Sequence, residues 1–314
     1  MIEKIAVLGA GTMGHGIATI FAMHGYDVSL YEVELTKLQA VKEEIARVLE
    51  IFAEEGIIRE GDINAVLERI KLFSALEPAV WDRDFVIEAV PEELALKQML
   101  FKRLDEYCLE HTIFASNTSS LRLNDMMKDI SEGRRKKIMV NHFYNPPHIM
   151  PIVELSYFGN MPEETYREIE SLYISVGKQP VKVLKDIPGL VANRIQQGVA
   201  REVFSLIELG AAAPEDIDKA LKFGPAFRYA TSGQLEIADM GGLDIWCSVG
   251  DSLLAEIDNS QKANPLLRQK VGEGKLGLKS GEGFFKYSAQ DAEEAKSKFI
   301  RRLINQLKAS KNYV

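Results

Sequence analysis

Only two cysteines occur in the chain, and no long apolar run without charge is present. Cys108 and Cys247 are too few for a disulfide framework and lack the close spacing of metal ligands. A membrane span would need about 18 consecutive apolar residues, which the sequence does not contain. The start of the chain has no basic segment followed by an apolar core and a cleavage site. We therefore expect a cytoplasmic protein without a membrane segment or a metal site.

An excess of positive charge is also missing. The chain has 38 Lys and Arg against 46 Asp and Glu, which gives a formal net charge of −8. Proteins that bind a phosphate backbone usually carry a basic surface, so the composition argues against nucleic acid as a partner. Hydrophobic residues make up 46% of the 314 residues. This content and length predict two domains, each with its own core.

Strand-like and helix-like patterns alternate in the first part of the chain. Residues 5–8 and 28–31 are short apolar runs, whereas residues 14–24 and 34–55 place apolar side chains at helical spacing. Further strand-like runs are residues 85–89, 113–115, 138–141 and 152–155. Alternation of this kind predicts an α/β fold, a Rossmann-type and mostly parallel sheet with helices on both faces.

The pattern changes after residue 186, where strand-like runs nearly disappear. The spacing predicts helices at about residues 191–209, 214–223 and 289–309, with glycine or proline at several of their ends. We therefore predict a Rossmann domain in residues 1–186 and an all-α C-terminal domain in residues 187–314.

A glycine-rich turn lies between the first predicted strand and the first predicted helix. The turn consists of Gly9, Ala10, Gly11, Thr12, Met13 and Gly14, a G-x-G-x-x-G pattern. The first glycine permits a tight turn, the second lets the backbone approach a pyrophosphate, and the third lets the helix pack on the strand. The helix N-terminus adds unpaired N–H groups and a positive dipole. This context predicts a dinucleotide site.

An acid at the end of the second predicted strand indicates which dinucleotide binds. Glu32 follows Gly14 by 18 residues, where a carboxylate accepts hydrogen bonds from the adenosine ribose hydroxyls. The same charge repels the additional phosphate of NADP, and no arginine stands just beyond it. The predicted cofactor is therefore NAD.

Four polar residues interrupt segments that otherwise resemble core strands or helix starts. They are Ser119, His142, Glu154 and Asn193. A carboxylate between apolar strand residues is costly to bury without a partner, and His142 lies twelve residues before Glu154. A strand that ends near His142 and returns through Glu154 would place the two side by side. Imidazole titrates near neutral pH and suits general acid–base catalysis, although residue chemistry alone leaves a structural role for His142 open.

Together with these residues, the chain resembles the short-chain L-3-hydroxyacyl-CoA dehydrogenases. That family includes 3-hydroxybutyryl-CoA dehydrogenases and, more distantly, lambda-crystallin with its L-gulonate 3-dehydrogenase activity. The resemblance extends over nearly the whole chain. Besides the glycine turn, it is carried by residues 88–92 with Lys97, 115–120, 142–146, 153–154, 186–189 with Asn193 and Arg194, and 277–284.

The resemblance implies an oxidoreductase of fatty acid metabolism that transfers a hydride between NAD and a small-molecule substrate. In this family pattern His142 is the general base or acid and Glu154 is its partner. Ser119 and Asn193 hold the substrate oxygen. The family also dimerises through its C-terminal domain, so the resemblance implies a homodimer.

The resemblance further implies cofactor contacts outside the glycine turn and Glu32. The matching positions are Glu92, Lys97, Ser119, Asn145 and Lys279, with Ser119 in contact with both ligands. Without the motif, Lys97 and Lys279 would be interpreted as solvated lysines on a helix and in a turn.

Two departures from the family pattern leave the substrate open. The helix after the second strand carries Val48 and Glu55 where the family supplies a serine and a lysine to coenzyme A, although Arg47 or Arg59 could compensate. In the helical domain, the stretch around Arg228 is closer to members that act on small carboxylates, and Arg228 could pair with a carboxylate.

Three hypotheses follow for the function. The first, which the intact catalytic and C-terminal motifs favour, is a dehydrogenase of an L-3-hydroxyacyl-CoA such as 3-hydroxybutyryl-CoA. The second is a dehydrogenase of a free hydroxy-carboxylate of the L-gulonate, carnitine or pyridine-carboxylate type. The third is a non-catalytic protein that binds a dinucleotide.

Overall fold

The structure is a computed structural model that describes residues 2–313. The chain divides into two compact units, Met1–Val191 and Ala192–Val314. The boundary predicted after residue 186 precedes this division by five residues.

The first unit is built on one eight-stranded sheet, which confirms the predicted fold class. Its strands are β1 Lys4–Leu8, β2 Asp27–Tyr31, β3 Ile70–Phe73, β4 Phe85–Glu88, β5 Ile113–Ser116, β6 Ile138–Phe143, β7 Ile152–Ser156 and β8 Gln179–Val183. Their order in the sheet is β3-β2-β1-β4-β5-β6-β7-β8. All neighbouring strands are parallel except β6 and β7, which are antiparallel.

Helices connect the strands and cover both faces of the sheet. They are α1 Thr12–Met23, α2 Leu35–Glu54, α3 Ile63–Arg69, α4 Leu76–Val80, α5 Leu94–Tyr107, α6 Leu123–Met126, α7 Glu132–Arg135 and α8 Glu163–Ser175. A short 3₁₀ turn, Glu60–Asp62, precedes α3.

The central strand β1 shows how the sequence builds the core. Ile5 and Val7 join one buried cluster with α1, α2 and α8, whereas Ala6 and Leu8 join a second cluster with α4, α5 and α6. Successive side chains of a strand point to opposite faces, so an uninterrupted apolar run is buried on both sides. The core therefore consists of two layers, one on each face of the sheet.

The two edge strands were not predicted from the sequence. In β3 only Ile70 is buried, and in β8 only Val183 is. Pro180 interrupts β8, which an edge strand tolerates because one side of its backbone has no strand partner. Neither strand therefore shows the continuous apolar run of β1.

The second unit is helical, as predicted. Its helices are α9 Ala192–Glu208, α10 Pro214–Phe223, α11 Pro225–Tyr229, α12 Gln234–Gly241, α13 Leu243–Leu253, α14 Pro265–Gly272 and α15 Ala289–Ser310. The predicted helices at 191–209, 214–223 and 289–309 correspond to α9, α10 and α15. Within residues 2–313, every helix is either too short or too polar to cross a membrane.

Candidate active site

The glycine turn joins β1 to α1, and its three glycines have different structural roles. Gly9 has a φ of +99°, and a Cβ there would stand 2.7 Å from the Ala89 carbonyl oxygen. A Cβ at Gly14 would stand 1.7 Å from the Gly9 carbonyl oxygen. A Cβ at Gly11 would meet nothing within 4 Å. The outer two glycines therefore allow close packing of the turn itself, and Gly11 leaves the surface open for a ligand.

The N-terminus of α1 is suited to bind an anion. Gly11 is its N-cap, no side chain of the described residues caps it, and no acid lies in its first turn. The first N–H groups of a helix have no partner within the helix, and the helix dipole is positive there. The glycine turn and this helix start thus fit the pyrophosphate of a dinucleotide.

Glu32 lies beside the same turn, just past the end of β2. One of its carboxylate oxygens accepts a hydrogen bond from the Ala10 amide at 3.0 Å, and the other accepts from the Glu34 amide at 3.0 Å. The carboxylate is therefore fixed next to the turn that would hold the phosphates, where a ribose hydroxyl could donate to it.

His142 and Glu154 are directly opposite each other on the antiparallel strands β6 and β7. The His142 Nδ1 atom lies 2.8 Å from Glu154 Oε2, and the Glu154 side chain is fully buried. The pairing predicted from their spacing is thus present. No hydrogen bond to His142 Nε2 comes from the part of the chain that the structure describes, so this atom can meet a substrate hydroxyl.

The Tyr144 ring and the Val191 amide contact this pair. The Tyr144 ring meets the His142 ring edge-on at a centroid distance of 5.5 Å, and burial together with the Glu154 charge raises the pKa of Tyr144 to about 12. Glu154 Oε1 accepts a hydrogen bond from the Val191 amide at 2.8 Å. Both oxygens of the buried carboxylate therefore have a donor, which lowers the cost of burying the charge.

The Val191 amide belongs to a segment, residues 186–191, that is fixed to the site at several points. The Asp186 carboxylate accepts from the Leu123 amide at 3.0 Å, and the Gly189 amide donates to the Ser119 carbonyl at 3.2 Å. Leu190 is buried with a φ of +47°, a conformation that costs energy in a residue other than glycine. The sequence singled out this segment but gave no indication of its bond to Glu154.

Ser119 follows β5 and is held in place by Glu92, which follows β4. Glu92 Oε1 accepts hydrogen bonds from the Ser119 and Ser120 amides, at 3.0 and 3.1 Å, and from Thr118 Oγ1 at 2.6 Å. Burial opposes ionisation, but the Thr118 hydroxyl and the Lys97 ammonium together lower the pKa of Glu92 to about 2. Glu92 is therefore an anion at neutral pH that shapes the Ser119 loop.

Lys97 is buried, so its interpretation as a solvated lysine is wrong. The side chain is 1% exposed, and its Nζ atom lies 2.8 Å from Glu88 Oε1 and 3.0 Å from Glu92 Oε2. The Ser116 hydroxyl also donates to Glu88. Sequence reasoning assigned no role to Glu88, although an acid at the end of a buried strand indicates that a cation lies nearby.

The three remaining predicted site residues lie on a loop of the first unit and on two elements of the second unit. Asn145 is the exposed member of the loop after β6, followed by buried residues 146–149. In the second unit, Asn193 lies in the first turn of α9, and Lys279 lies in a turn closed by a bridge between Gly277 and Glu282.

Elements of the first unit thus bring most predicted residues to one edge of the sheet. The glycine turn, Glu92 and Ser119 follow the parallel strands β1, β4 and β5, and His142 lies near the end of β6. In open parallel sheets, ligands bind outside the carboxyl ends of the strands. His111, in contrast to His142, lies at the opposite edge of the sheet. Its side chain is 57% exposed, and its Nε2 atom lies 3.3 Å from Asp84 Oδ1.

Comparison with known proteins identifies the family. The model described as 3-hydroxyacyl-CoA dehydrogenase, NAD binding domain, matches residues 4–187, and the one for the C-terminal domain matches residues 189–287. A probable 3-hydroxybutyryl-CoA dehydrogenase of Bacillus subtilis is 37% identical over 287 residues, covering 91% of this chain and 98% of that protein.

Solved structures agree with this result. The crystal structure of 5-formyl-3-hydroxy-2-methylpyridine 4-carboxylic acid 5-dehydrogenase, described as an NAD⁺-dependent dismutase, has a TM-score of 0.90 and 31% identity, and covers 100% of both chains. The (S)-3-hydroxybutyryl-CoA dehydrogenase of Ralstonia eutropha has a TM-score of 0.72 and 33% identity, and covers 92% of this chain and 100% of its own. The chain therefore belongs to the 3-hydroxyacyl-CoA dehydrogenase family of oxidoreductases, with NAD as its cofactor.

Proposed function

We propose that the protein interconverts a secondary alcohol and a ketone, with His142 as the general base and acid. The observation that carries this is the His142–Glu154 pair, with Nδ1 on the carboxylate and Nε2 available to a substrate. NAD, when bound, exchanges a hydride with the substrate carbon. His142 removes the hydroxyl proton in oxidation and returns it to the oxygen in reduction.

Glu154 orients the imidazole and stabilises its protonated form. A buried carboxylate on the far ring nitrogen has this effect in the serine protease triad, where it does not itself become protonated. The Val191 amide on the second oxygen favours the ionised carboxylate, since hydrogen bonds to a charged form stabilise that form.

Ser119 and Asn193 stabilise the negative charge that develops on the substrate oxygen. One well-placed donor of this kind contributes on the order of 3 kcal/mol to lowering the barrier. Glu92 holds Ser119, and Lys97 holds Glu92, so these two act partly through the Ser119 loop. The proposed cofactor contacts are Glu92, Lys97, Ser119, Asn145 and Lys279, beside the glycine turn and Glu32.

The substrate class favoured here is a free hydroxy- or oxo-carboxylate. The similarity to the pyridine-carboxylate dehydrogenase extends over the whole chain, including the part beyond residue 287 that the family models leave unmatched. The position at which the family pattern places a coenzyme A lysine holds Glu55, whose charge would repel a phosphate. Arg59, the nearby cation that the sequence offers in place of this lysine, pairs with Asp62 through bonds of 2.9 and 3.1 Å.

An acyl-CoA ester is the second candidate. It is supported by the family match and by the 37% identity to the probable 3-hydroxybutyryl-CoA dehydrogenase. The groups proposed to carry out the chemistry do not distinguish the two classes, since both present a hydroxyl or a carbonyl to His142.

A steady-state assay with NADH separates these substrates. We expect turnover of free 3-oxo-carboxylates and little or none of acetoacetyl-CoA, because Glu55 stands where the family pattern places a lysine for the CoA phosphates and Arg59 is engaged by Asp62. Preference for acetoacetyl-CoA by kcat/KM would reverse the assignment. The simple methyl ester of the same 3-oxo acid is the control, because it lacks both the carboxylate charge and the coenzyme.

A homodimer through the second unit is part of the proposal. Helices α11 to α13 expose large apolar side chains, including Phe227, Leu235, Met240 and Leu243 at 63–82%. Several large apolar side chains exposed on neighbouring helices are typical of protein interfaces. Sedimentation at micromolar concentration is expected to give twice the chain mass of 35.1 kDa. A particle of one chain mass would contradict the dimer.

A further inference from the structure

Lys178 is a buried lysine without an acidic partner. It lies just before β8 and is 3% exposed, and its Nζ atom donates to the Pro147 carbonyl at 2.6 Å and to the Met150 carbonyl at 2.7 Å. Among residues 2–313 it forms no salt bridge, in contrast to Lys97 between Glu88 and Glu92. A buried ammonium is costly without a counter-charge, so this arrangement requires an explanation.

The geometry suits an amine as well as an ammonium. Burial lowers the pKa of Lys178 to about 7. A neutral amine retains two N–H groups, and two carbonyl oxygens accept from it here. The Phe143 ring, 5.7 Å away, lies beside the same group. The side chain therefore acts chiefly as a donor to two points of the backbone.

Both acceptors belong to the loop of residues 144–151, which joins β6 to β7. This loop begins two residues after His142 and ends three residues before Glu154. Asn145 is its exposed residue, whereas residues 146–149 are buried. Lys178 thus fixes the central turn of the segment that links the proposed catalytic pair and carries a proposed cofactor contact.

On its other side the loop packs against α1. A Cβ at Gly16 would stand 2.6 Å from Pro147 Cγ and 2.8 Å from His148 Nδ1. Burial, His15 and Lys178 together lower the pKa of His148 to about 3, so this residue is neutral in the packed loop. The loop therefore lies between Lys178 and the helix whose N-terminus faces the predicted pyrophosphate site.

We infer that Lys178 is a positioning residue for the cofactor: its two hydrogen bonds hold the 144–151 loop against α1 and so fix Asn145 at the NAD site. The inference rests on the proposed function for the assignment of Asn145. It predicts an effect on NADH binding and little effect on the chemical step, since His142 is held separately by β6 and Glu154.

The test is Lys178→Met, which keeps an apolar stem and removes both donors. We expect the Kd for NADH, from quenching or enhancement of its fluorescence, to rise about tenfold, as the loss of roughly one net hydrogen bond would give. The kcat at saturating NADH should stay near that of the unchanged protein. Lys137→Met is the control, because Lys137 likewise donates to the backbone, to the Glu110 carbonyl, but away from this loop.

An unchanged Kd in a folded Lys178→Met protein would overturn the inference. If that variant does not fold, Lys178→Gln is tested instead. It keeps two neutral N–H donors on a shorter side chain and should raise the Kd for NADH by a smaller factor. In an Asn145→Ala background, Lys178→Met should raise the Kd by much less, whereas simple additivity would contradict action through the loop. The Kd for NADH is measured without turnover. If the unchanged protein is inactive but the variants show the expected changes in Kd, the result counts against the proposed function and not against the role of Lys178.

Discussion

Replacing His142 by glutamine is expected to lower kcat by about 10² to 10⁴, the usual contribution of a general base. Glutamine retains a polar side chain of similar reach but cannot accept a proton at neutral pH. The substrate hydroxyl would then keep its proton as the hydride leaves. The loss corresponds to about 3 to 5 kcal/mol of transition-state stabilisation.

NADH binding should remain close to that of the unchanged protein, because the glycine turn and Glu32 do not contact His142 in the described structure. The measurement is NADH oxidation under saturation, with NADH fluorescence for binding and circular dichroism for folding. His111→Gln is the control, since this exposed histidine also lies beside an acid but at the opposite edge of the sheet. More than about a tenth of the original kcat would exclude His142 as the base. Activity that depends on His142 would in turn exclude a non-catalytic role for the protein.

Gly14→Ala is expected to destabilise the fold by at least about 3 kcal/mol, because overpacking at backbone is relieved only by moving the chain. The added Cβ would stand 1.7 Å from the Gly9 carbonyl oxygen and 2.8 Å from the Gly9 carbonyl carbon. Neither atom can rotate away, since both belong to the turn between β1 and α1. Unfolding in urea measures the change, and NADH affinity should fall with it.

Gly11→Ala is the matched control within the same turn. Its φ is −68°, which any residue adopts, and its Cβ would meet nothing within 4 Å. We expect a cost below about 1 kcal/mol, as for alanine at a helix N-cap. NADH binding should nevertheless weaken, because the methyl group would occupy the surface that the pyrophosphate approaches. Equal unfolding free energies of the two variants would contradict this division of roles.

The parts predicted well from sequence are those set by local chemistry. The turn from Gly9 to Gly14 is recognisable because its glycines are spaced as a close approach of backbone to backbone requires. The His142–Glu154 pair follows from a carboxylate in an apolar strand and a histidine one hairpin upstream. Helices such as α9, α10 and α15 have long periodic patterns and glycine, proline or serine at their ends. In each case the signal lies within a few residues of the structure it predicts.

The parts that sequence missed depend on partners far away in the chain. The burial of Lys97 depends on its ion pairs with Glu88 and Glu92, at and just after the end of β4. The sequence of its own helix does not indicate these partners. Lys178 forms no salt bridge with any residue of 2–313, so its sequence resembles that of any surface lysine until its two carbonyl partners are seen. Edge strands such as β3 and β8 alternate too weakly to be recognised before the sheet is assembled.

The bond from the Val191 amide to Glu154 also bears on how the proposed catalytic pair is ordered before the reaction. Each oxygen of this carboxylate has a fixed donor, one on the imidazole and one on the backbone, so the group can neither rotate nor turn away. An ordered carboxylate needs no reorganisation as charge develops on the ring. Folding has already borne the entropy cost of fixing this carboxylate. Folding has also borne the cost of the strained backbone at Leu190. Under the proposed function, part of the activation barrier is thus converted into a cost on stability.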